Sequence, residues 1–540
     1  MPSLSKIKVN KVSTAPHVIV KALAGTGKTT TLVEGLKELK EDWACTACAG
    51  SGIPSKNDVA QGYDYCSICD GAGETPRLTP SPQQQAVWDA ILQSQNDANT
   101  ICFVAFNKSI ASELQARVPA GCEAMTMHSL GLKAVTNAYG KLKISGYRVQ
   151  DMISKYLKRD IKDIRKKNAT ALRATQRLVS LCKLTLTKPT IQNLDAIASH
   201  HDIDLNGSRD TIFDMVPTIL EWCKNPTEDR QIDFDDMIWL PVVNELSMTK
   251  YDLLLGDESQ DFNRCQQELF KKSGTRYVLV GDENQAIYGW AGADSDSIGR
   301  FEEELLDTEV GVEVYPLTQT RRCGQAIVKE AQQFVPGFEA HESNLEGSIT
   351  SQPLSNYRKF AEGNDMVLSR VNAPLVRECF RFIKDGKKAN IRGRDIGQGL
   401  ISTIKKLKSE NIEQLSADLS NWIDKETTKE NAKKNPNENK LIALEDRYEC
   451  LCQFIDDSGS IEEVINKIET LFSDKDVPGI LLSSIHKAKG LEASRVFFLR
   501  TKEAPVPHPM AKTNSAKAQE NNLVYVAVTR AINELIYVVD

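Results

Sequence analysis

His17-Val18-Ile19-Val20-Lys21-Ala22-Leu23-Ala24-Gly25-Thr26-Gly27-Lys28-Thr29-Thr30 is the stretch that decides how the chain reads. Val18, Ile19 and Val20 form an apolar run that predicts a buried strand. Beyond Thr29, Leu32, Val33, Leu36 and Leu39 recur at helical spacing. A loop of small residues joins the two. Strand, glycine loop, Gly-Lys-Thr and helix together make a phosphate cradle. Gly25 and Gly27 let backbone N–H groups close on phosphate oxygens, and Ala24, Thr26 and Thr30 complete the expected contact set. Lys28 reaches the terminal phosphate and the Thr29 hydroxyl ligates Mg²⁺. Ala22 stands where the usual pattern has its first glycine. The plainer alternative is a glycine turn ahead of a surface helix. The expectation is a nucleoside triphosphate site.

With 540 residues the chain is too long for one core, and 41% hydrophobic with 26% charged residues is an ordinary globular composition. No apolar run reaches membrane-spanning length, and residues 1–10 lack the apolar centre of a signal peptide. A cytoplasmic protein is expected, nuclear if the source is eukaryotic, with no membrane partner. The net charge of −6 averages over domains, so charge is read by region. Nine of the 13 cysteines are scattered through apolar segments, as reduced thiols are. The other four form Cys45-Thr46-Ala47-Cys48 and Cys66-Ser67-Ile68-Cys69, with seventeen residues between the pairs. That spacing suits one Zn²⁺ held by four thiolates, with chance or redox cysteines as the alternative. The repeated C-x-x-C-x-G-x-G resembles half of the zinc-binding region of DnaJ-type chaperones. It implies a small zinc knuckle, stabilised by its metal, over 43–76.

Further along, Ser81-Pro82 opens a helix, and 101–106 reads as a second buried strand. From 155 to 188 eleven lysines and arginines face two aspartates, which reads either as a solvated helical face or as a surface that tracks phosphates. A third strand, Leu253-Leu254-Leu255-Gly256, ends in Asp257-Glu258-Ser259-Gln260-Asp261. Acids at the end of an apolar strand are costly unless they hold a cation or a water. In a nucleotide site Asp257 would hold Mg²⁺ and Glu258 would polarise the attacking water; a helix-capping cluster is the alternative. A fourth strand precedes Gly281-Asp282-Glu283-Asn284-Gln285-Ala286-Ile287-Tyr288-Gly289-Trp290. Gln285 can touch a γ-phosphate there, and Tyr288 and Trp290 offer rings on which bases stack, although aromatics beside glycine are commonly core.

These blocks, in this order, resemble superfamily 1 helicases of the UvrD/Rep/PcrA type. Leu317-Thr318-Gln319-Thr320-Arg321-Arg322, Met366-Val367-Leu368-Ser369-Arg370, Ile485-His486-Lys487-Ala488-Lys489-Gly490-Leu491-Glu492 and Leu523-Val524-Tyr525-Val526-Ala527-Val528-Thr529-Arg530-Ala531 look like the later motifs of the same family. Ala-Phe-Asn-Lys and Met-His-Ser-Leu are closest in style to the F-box DNA helicase and phage branch. The resemblance covers most of the chain apart from the cysteine insert and two mainly helical inserts, and it implies an α/β fold of two RecA-like lobes with parallel sheets and ATP between them; the zinc knuckle is expected beside them. The implied layout is lobe 1A over 1–132 and 229–312, insert 1B over 133–228, lobe 2A over 313–396 and 475–540, and insert 2B over 397–474. By resemblance Arg322 and Arg530 are arginine fingers, Glu492 bonds the ribose and Arg321 lies against the base. Phe106, Asn107, His128, Trp290 and His486 would lie along DNA.

Some positions depart from the family. No glutamine precedes the glycine loop, and Gln83-Gln84-Gln85 follow it instead. Arg321 replaces a tyrosine, Ala291 an arginine, and the stacking phenylalanine is displaced by one to Phe106. The reading implied is a monomeric ATP-dependent DNA helicase moving 3′-5′ on single strands and at junctions, with ATP, Mg²⁺ and Zn²⁺. The alternatives are a translocase that displaces proteins without strong unwinding, or a zinc-dependent interaction module delivered to a protein partner by the ATPase.

Overall fold

The computed structural model describes residues 15–42, 78–94, 98–105, 107–201, 203–205, 208–287, 297–432, 436, 438–472, 478–509, 511 and 514–540. The four paired cysteines, Phe106, Tyr288 and Trp290 lie outside the described residues. The chain divides into two compact units. The first runs to Leu317 except for Leu23–Thr26 and Asn284–Ile287, which belong with the second, Thr318–Asp540.

The first unit is built on a six-stranded parallel sheet. Its strands are β1 His17–Ala22, β2 Ile101–Ala105, β3 Cys122–Thr126, β6 Tyr251–Gly256, β7 Gly274–Gly281 and β8 Val312–Leu317, in the order β3-β2-β6-β7-β1-β8. Every residue of β2 is buried, as expected of a parallel strand covered on both faces. One face carries a cluster that includes Val18, Val20, Leu32, Val33, Leu36 and Phe103. The other face joins the cores of the helices between β3 and β6 through Ile19, Leu254, Phe270 and Leu279. Between those helices, β4 Lys143–Ile144 pairs with β5 Gln231–Ile232.

The basic run lies on three helices, Arg148–Leu157, Ile161–Lys167 and Ala169–Thr185, and the turns beside them. Lys158, with φ 51°, ends the first. The structure corrects the expectation for Lys183. It is buried, 2.7 Å from both Asp233 and Asp236, while Arg148 pairs with Asp236 at 2.5 Å and with Asp229 at 2.9 Å. Burial works against the Lys183 charge, but these acids hold the ammonium well above its usual range. Such a set ties three helices together, since removing one member leaves a buried charge uncompensated. Lys155, Lys158, Arg159, Lys162, Arg165, Lys166, Lys167, Arg173 and Lys188 stay exposed.

In the second unit β9 Gln319–Thr320 pairs with β10 Glu339–Ala340. The main sheet contains β11 Ser348–Pro353, β12 Met366–Ser369, β13 Ala389–Ile391, β14 Ile480–Ser484, β15 Ala493–Leu499 and β16 Ala531–Val539. It is also parallel, in the order β11-β16-β15-β12-β14-β13. Helices Arg394–Leu407, Ile412–Asn431, Glu438–Asp456 and Ile461–Leu471 pack beside it around Leu400, Leu415, Leu451 and Phe454. Among the described residues no helix is long and apolar enough to cross a membrane.

His17, at the start of β1, stacks on Tyr277 with ring centroids 4.5 Å apart, and its Nδ1 accepts the Tyr277 N–H at 3.3 Å. Burial, then the nearby Arg276 charge, lowers its pKa to about 4 from 6.5. The unfolded chain therefore takes up a proton that the folded chain refuses. Stability is expected to fall by about 3 kcal/mol as pH drops from about 6.5 to about 4. Thermal melts across that window should show the slope, and His17→Gln should flatten it.

Candidate nucleotide and nucleic-acid site

The end of β1 leads into the loop and then into the helix Lys28–Lys40, whose N-cap is Gly27 in the left-handed region at φ 79°. A glycine cap leaves the first amides of the helix facing outward with no side chain across them, which is the arrangement that receives anions. Thr26 closes the loop from inside through Oγ1 to the Leu23 carbonyl at 2.9 Å. β6 ends two strands away at Gly256, so Asp257 and Glu258 emerge at the same carboxyl edge of the sheet as Lys28.

There they meet. Lys28 Nζ lies 3.2 Å from Glu258 Oε1 and 3.3 Å from Oε2. Thr29 Oγ1 donates to Asp257 Oδ2. Burial opposes the Lys28 charge, but the carboxylates of Glu258, Asp282 and Asp257 outweigh it and hold the ammonium above its usual range. Burial, and then the Glu258 charge, push the Asp257 carboxyl up against the pull of Lys28 and Thr29. Two carboxylates that resist being ionised together leave the site in need of positive charge. The hydroxyl of Thr29 and the carboxylate of Asp257 are hard oxygen donors of the kind Mg²⁺ takes, so the residues present fit that ion. Among the described residues no cluster of three or more His, Cys, Asp or Glu could hold a metal.

The glutamine helix Pro82–Leu92 packs on the helix that follows the loop. Gln84 is 4% exposed; its Nε2 donates to Thr31 Oγ1 at 3.1 Å, and a Cβ on Gly27 would lie 3.3 Å from that nitrogen. The same side chain completes a capping box with Ser81. A glutamine thus stands beside the phosphate loop although none precedes it in the chain. Reading the chain in order missed this placement; the Ser-Pro-Gln-Gln-Gln start was its only signal.

Within the second unit, Arg530 is buried and donates from Nη2 to Gln285 Oε1 at 3.4 Å and from Nη1 to the Leu491 carbonyl at 3.0 Å. Lys489 Nζ donates to the Gln285 carbonyl at 2.8 Å. Arg322 pairs with Glu492 at 2.5 Å. The Arg321 N–H donates to the Gly25 carbonyl at 3.0 Å while its side chain is exposed. The Ala24 N–H donates to the Tyr525 hydroxyl at 3.0 Å. The later motifs therefore gather Gln285, Arg322, Glu492 and Arg530 with Leu23–Thr26 in one unit.

Of the residues expected along a nucleic acid, Asn107 caps the helix Lys108–Arg117 through its side-chain oxygen, 2.9 Å from the Ile110 amide. His128 lies in the first turn of the helix Met127–Tyr139, and burial lowers its pKa. Burial, with Arg370 and Lys487, takes His486 down to about 3. Both imidazoles are neutral at pH 7 and would contact a strand by hydrogen bonding or stacking, not by charge.

Residues 83–305 match the family model described as the UvrD/REP helicase N-terminal domain. The likeness is to UvrD-type helicases. The match begins after the glycine loop and takes in Asp257, Glu258 and Gln285. The chain is 24% identical to the F-box DNA helicase protein 1 of Schizosaccharomyces pombe, over 81% of this chain and 52% of that protein. It is 23% identical to the ATP-dependent DNA helicase PcrA of Staphylococcus epidermidis, over 83% of this chain and 78% of that one. The chain thus spans about half the length of the first of these relatives. A solved complex of arterivirus nonstructural protein 10 (helicase) with DNA covers 57% of this chain and 42% of that one. It shares 14% identity with this chain at a TM-score of 0.25. The two parallel sheets are consistent with RecA-like helicase lobes.

Gly25 has φ +67°, and a Cβ there would lie 2.5 Å from Arg322 Cβ and 2.6 Å from Thr320 Oγ1. Gly25→Ala is expected to cost about 2 kcal/mol from the left-handed backbone and the clash together. Denaturant unfolding would read that loss.

Proposed function

We propose that this chain is an ATP-dependent DNA helicase that moves 3′-5′ along single-stranded DNA and opens duplex at junctions. One observation carries the reading: Lys28 and Thr29, which open the helix after β1, meet Glu258 and Asp257, which follow β6, in a half-buried site. A phosphate that reaches Lys28 exchanges for Glu258 and frees that carboxylate to orient the attacking water. Mg²⁺, when bound by Thr29 and Asp257, supplies charge to the β- and γ-phosphates. Gln285 reads the γ-phosphate, and Arg322 and Arg530 neutralise charge that develops on it. Glu492 takes the ribose and Arg321 the base, while Gln84 stands where adenine selectivity can be set.

The names of the relatives, each a DNA helicase, support DNA as the track. The nine exposed basic residues between 155 and 188 offer phosphate contacts. Phe106, Asn107, His128, Tyr288, Trp290 and His486 are the proposed base and backbone contacts. The lobe and insert layout set out for 1A, 1B, 2A and 2B belongs to the same proposal, as do the monomeric state, the cytoplasmic or nuclear location and the zinc knuckle with its protein partner.

Two outcomes test this. ATP hydrolysis should rise at least ten-fold with single-stranded DNA, and Lys28→Ala should abolish it; turnover indifferent to DNA would overturn the motor. For the cysteine pairs, metal analysis of the purified protein should find one zinc per chain, lost in the Cys45→Ser, Cys48→Ser double variant.

A further inference from the structure

Glu258 occupies an unusual backbone position. It is a non-glycine residue at φ 52°, ψ 40°, in the left-handed region, and it opens the short 3-10 turn Ser259–Asp261. An L-residue there is strained and persists only where its surroundings over-determine it. Those surroundings are visible. Ser259 Oγ donates to the Val280 carbonyl at 3.0 Å, and Ser297 Oγ donates to the Ser259 carbonyl at 2.7 Å. These bonds pin the turn to the end of β7 and to the helix Ser297–Leu306, but they do not reach the Glu258 side chain.

Gln260 reaches it. Its side chain is 2% exposed, and both ends of its amide are used: Nε2 donates to Glu258 Oε2 at 2.5 Å, and Oε1 accepts the Asp282 backbone N–H at 3.0 Å. The approach is possible because residue 281 has no side chain. A Cβ on Gly281 would lie 2.5 Å from Gln260 Oε1, 2.6 Å from Ile298 Cδ1 and 2.8 Å from Ser259 Oγ. Asp282 is also the residue from which the chain leaves β7 toward Gln285.

We infer that Gln260 is a positioning residue: its amide hooks onto the Asp282 backbone and holds the Glu258 carboxylate at the angle from which it can orient water. The inference rests on the hydrolytic role proposed above for Glu258. When a phosphate takes Lys28 away from Glu258, the Gln260 bond stays with the carboxylate. Loss of that bond changes the angle at which the carboxylate is held, while the phosphate cradle, built on Lys28, Thr29 and the loop amides, is untouched. The effect belongs to turnover and not to nucleotide binding.

Gln260→Met keeps the length and removes both hydrogen bonds. Gln260→Glu keeps the acceptor for Asp282 and removes the donor to Glu258. Each is expected to lower kcat for ATP about 100-fold, the scale of a misplacement of about 1 Å. The dissociation constant for a fluorescent ATP analogue, measured by titration, should stay within two-fold, and the melting temperature within a few degrees. Gly281→Ala, which pushes on Gln260 from the other side, should show the same split between kcat and binding. Turnover within two-fold of the parent in a folded Gln260→Met overturns the inference, as does a loss of binding equal to the loss of turnover. Should the two Gln260 variants fail to fold, Gly281→Ala decides on the same criteria. The parent and Lys28→Ala run alongside. A parent that does not hydrolyse ATP overturns the hydrolytic reading itself, whereas a parent that does, beside unchanged Gln260 variants, overturns only the role of Gln260.

Discussion

Four polar side chains, two from the helix start after β1 and two from the end of β6, are brought into one half-buried place, and the sheet order of the first unit makes that possible. Lys28, Thr29, Asp257 and Glu258 would each be expensive to bury alone. Together they satisfy one another, ammonium to carboxylate and hydroxyl to carboxylate. The sheet order places β6 and β1 on either side of β7, so both strands deliver their last residues to the same edge. A change in strand order would strand the lysine or the acids.

The second unit repeats the parallel architecture, and its charged residues lie elsewhere than at the carboxyl ends of the main sheet. Arg530 lies between the helix Asn514–Val528 and the start of β16, and Arg322 follows β9 of the two-stranded pair. Each is held in place by named partners, Arg530 by the carbonyls of Leu491 and Val526 and Arg322 by Glu492. A guanidinium fixed by backbone carbonyls keeps its charge and loses its freedom; in the hydrolysis proposed above it would meet developing charge without reorganising.

How much of this was legible depended on how local each signal is. Gly-Lys-Thr after an apolar strand, and Asp-Glu after another, are contiguous patterns, and the structure sets them side by side. The Lys183 pairing was not legible, because its partners Asp233 and Asp236 lie fifty residues on in another helix; counting charge along a window makes Lys183 look like one more member of a basic face. The placement of Gln84 depends on how two helices pack. Glu258 in a left-handed conformation has no signature at all, since glutamate is not a residue that announces such a backbone. The paired cysteines, Phe106, Tyr288 and Trp290 fall outside the described residues, so their reading rests on spacing and resemblance alone.

The helix of Gln84 starts beside the beginning of the Lys28–Lys40 helix, because Gln84 and Trp88 both bond Thr31. After Lys40 the chain must therefore travel back one helix length, roughly 20 Å at 1.5 Å per residue, before the next helix can begin. Six or seven extended residues, about 3.3 Å each, would cover that return. The stretch 43–77 that joins the two helices is several times longer than that in sequence. What keeps the start of the second helix in register with the cradle is the pair of bonds to Thr31, so the spacing between Gly27 and Gln84 is set by packing and not by the length of chain between them.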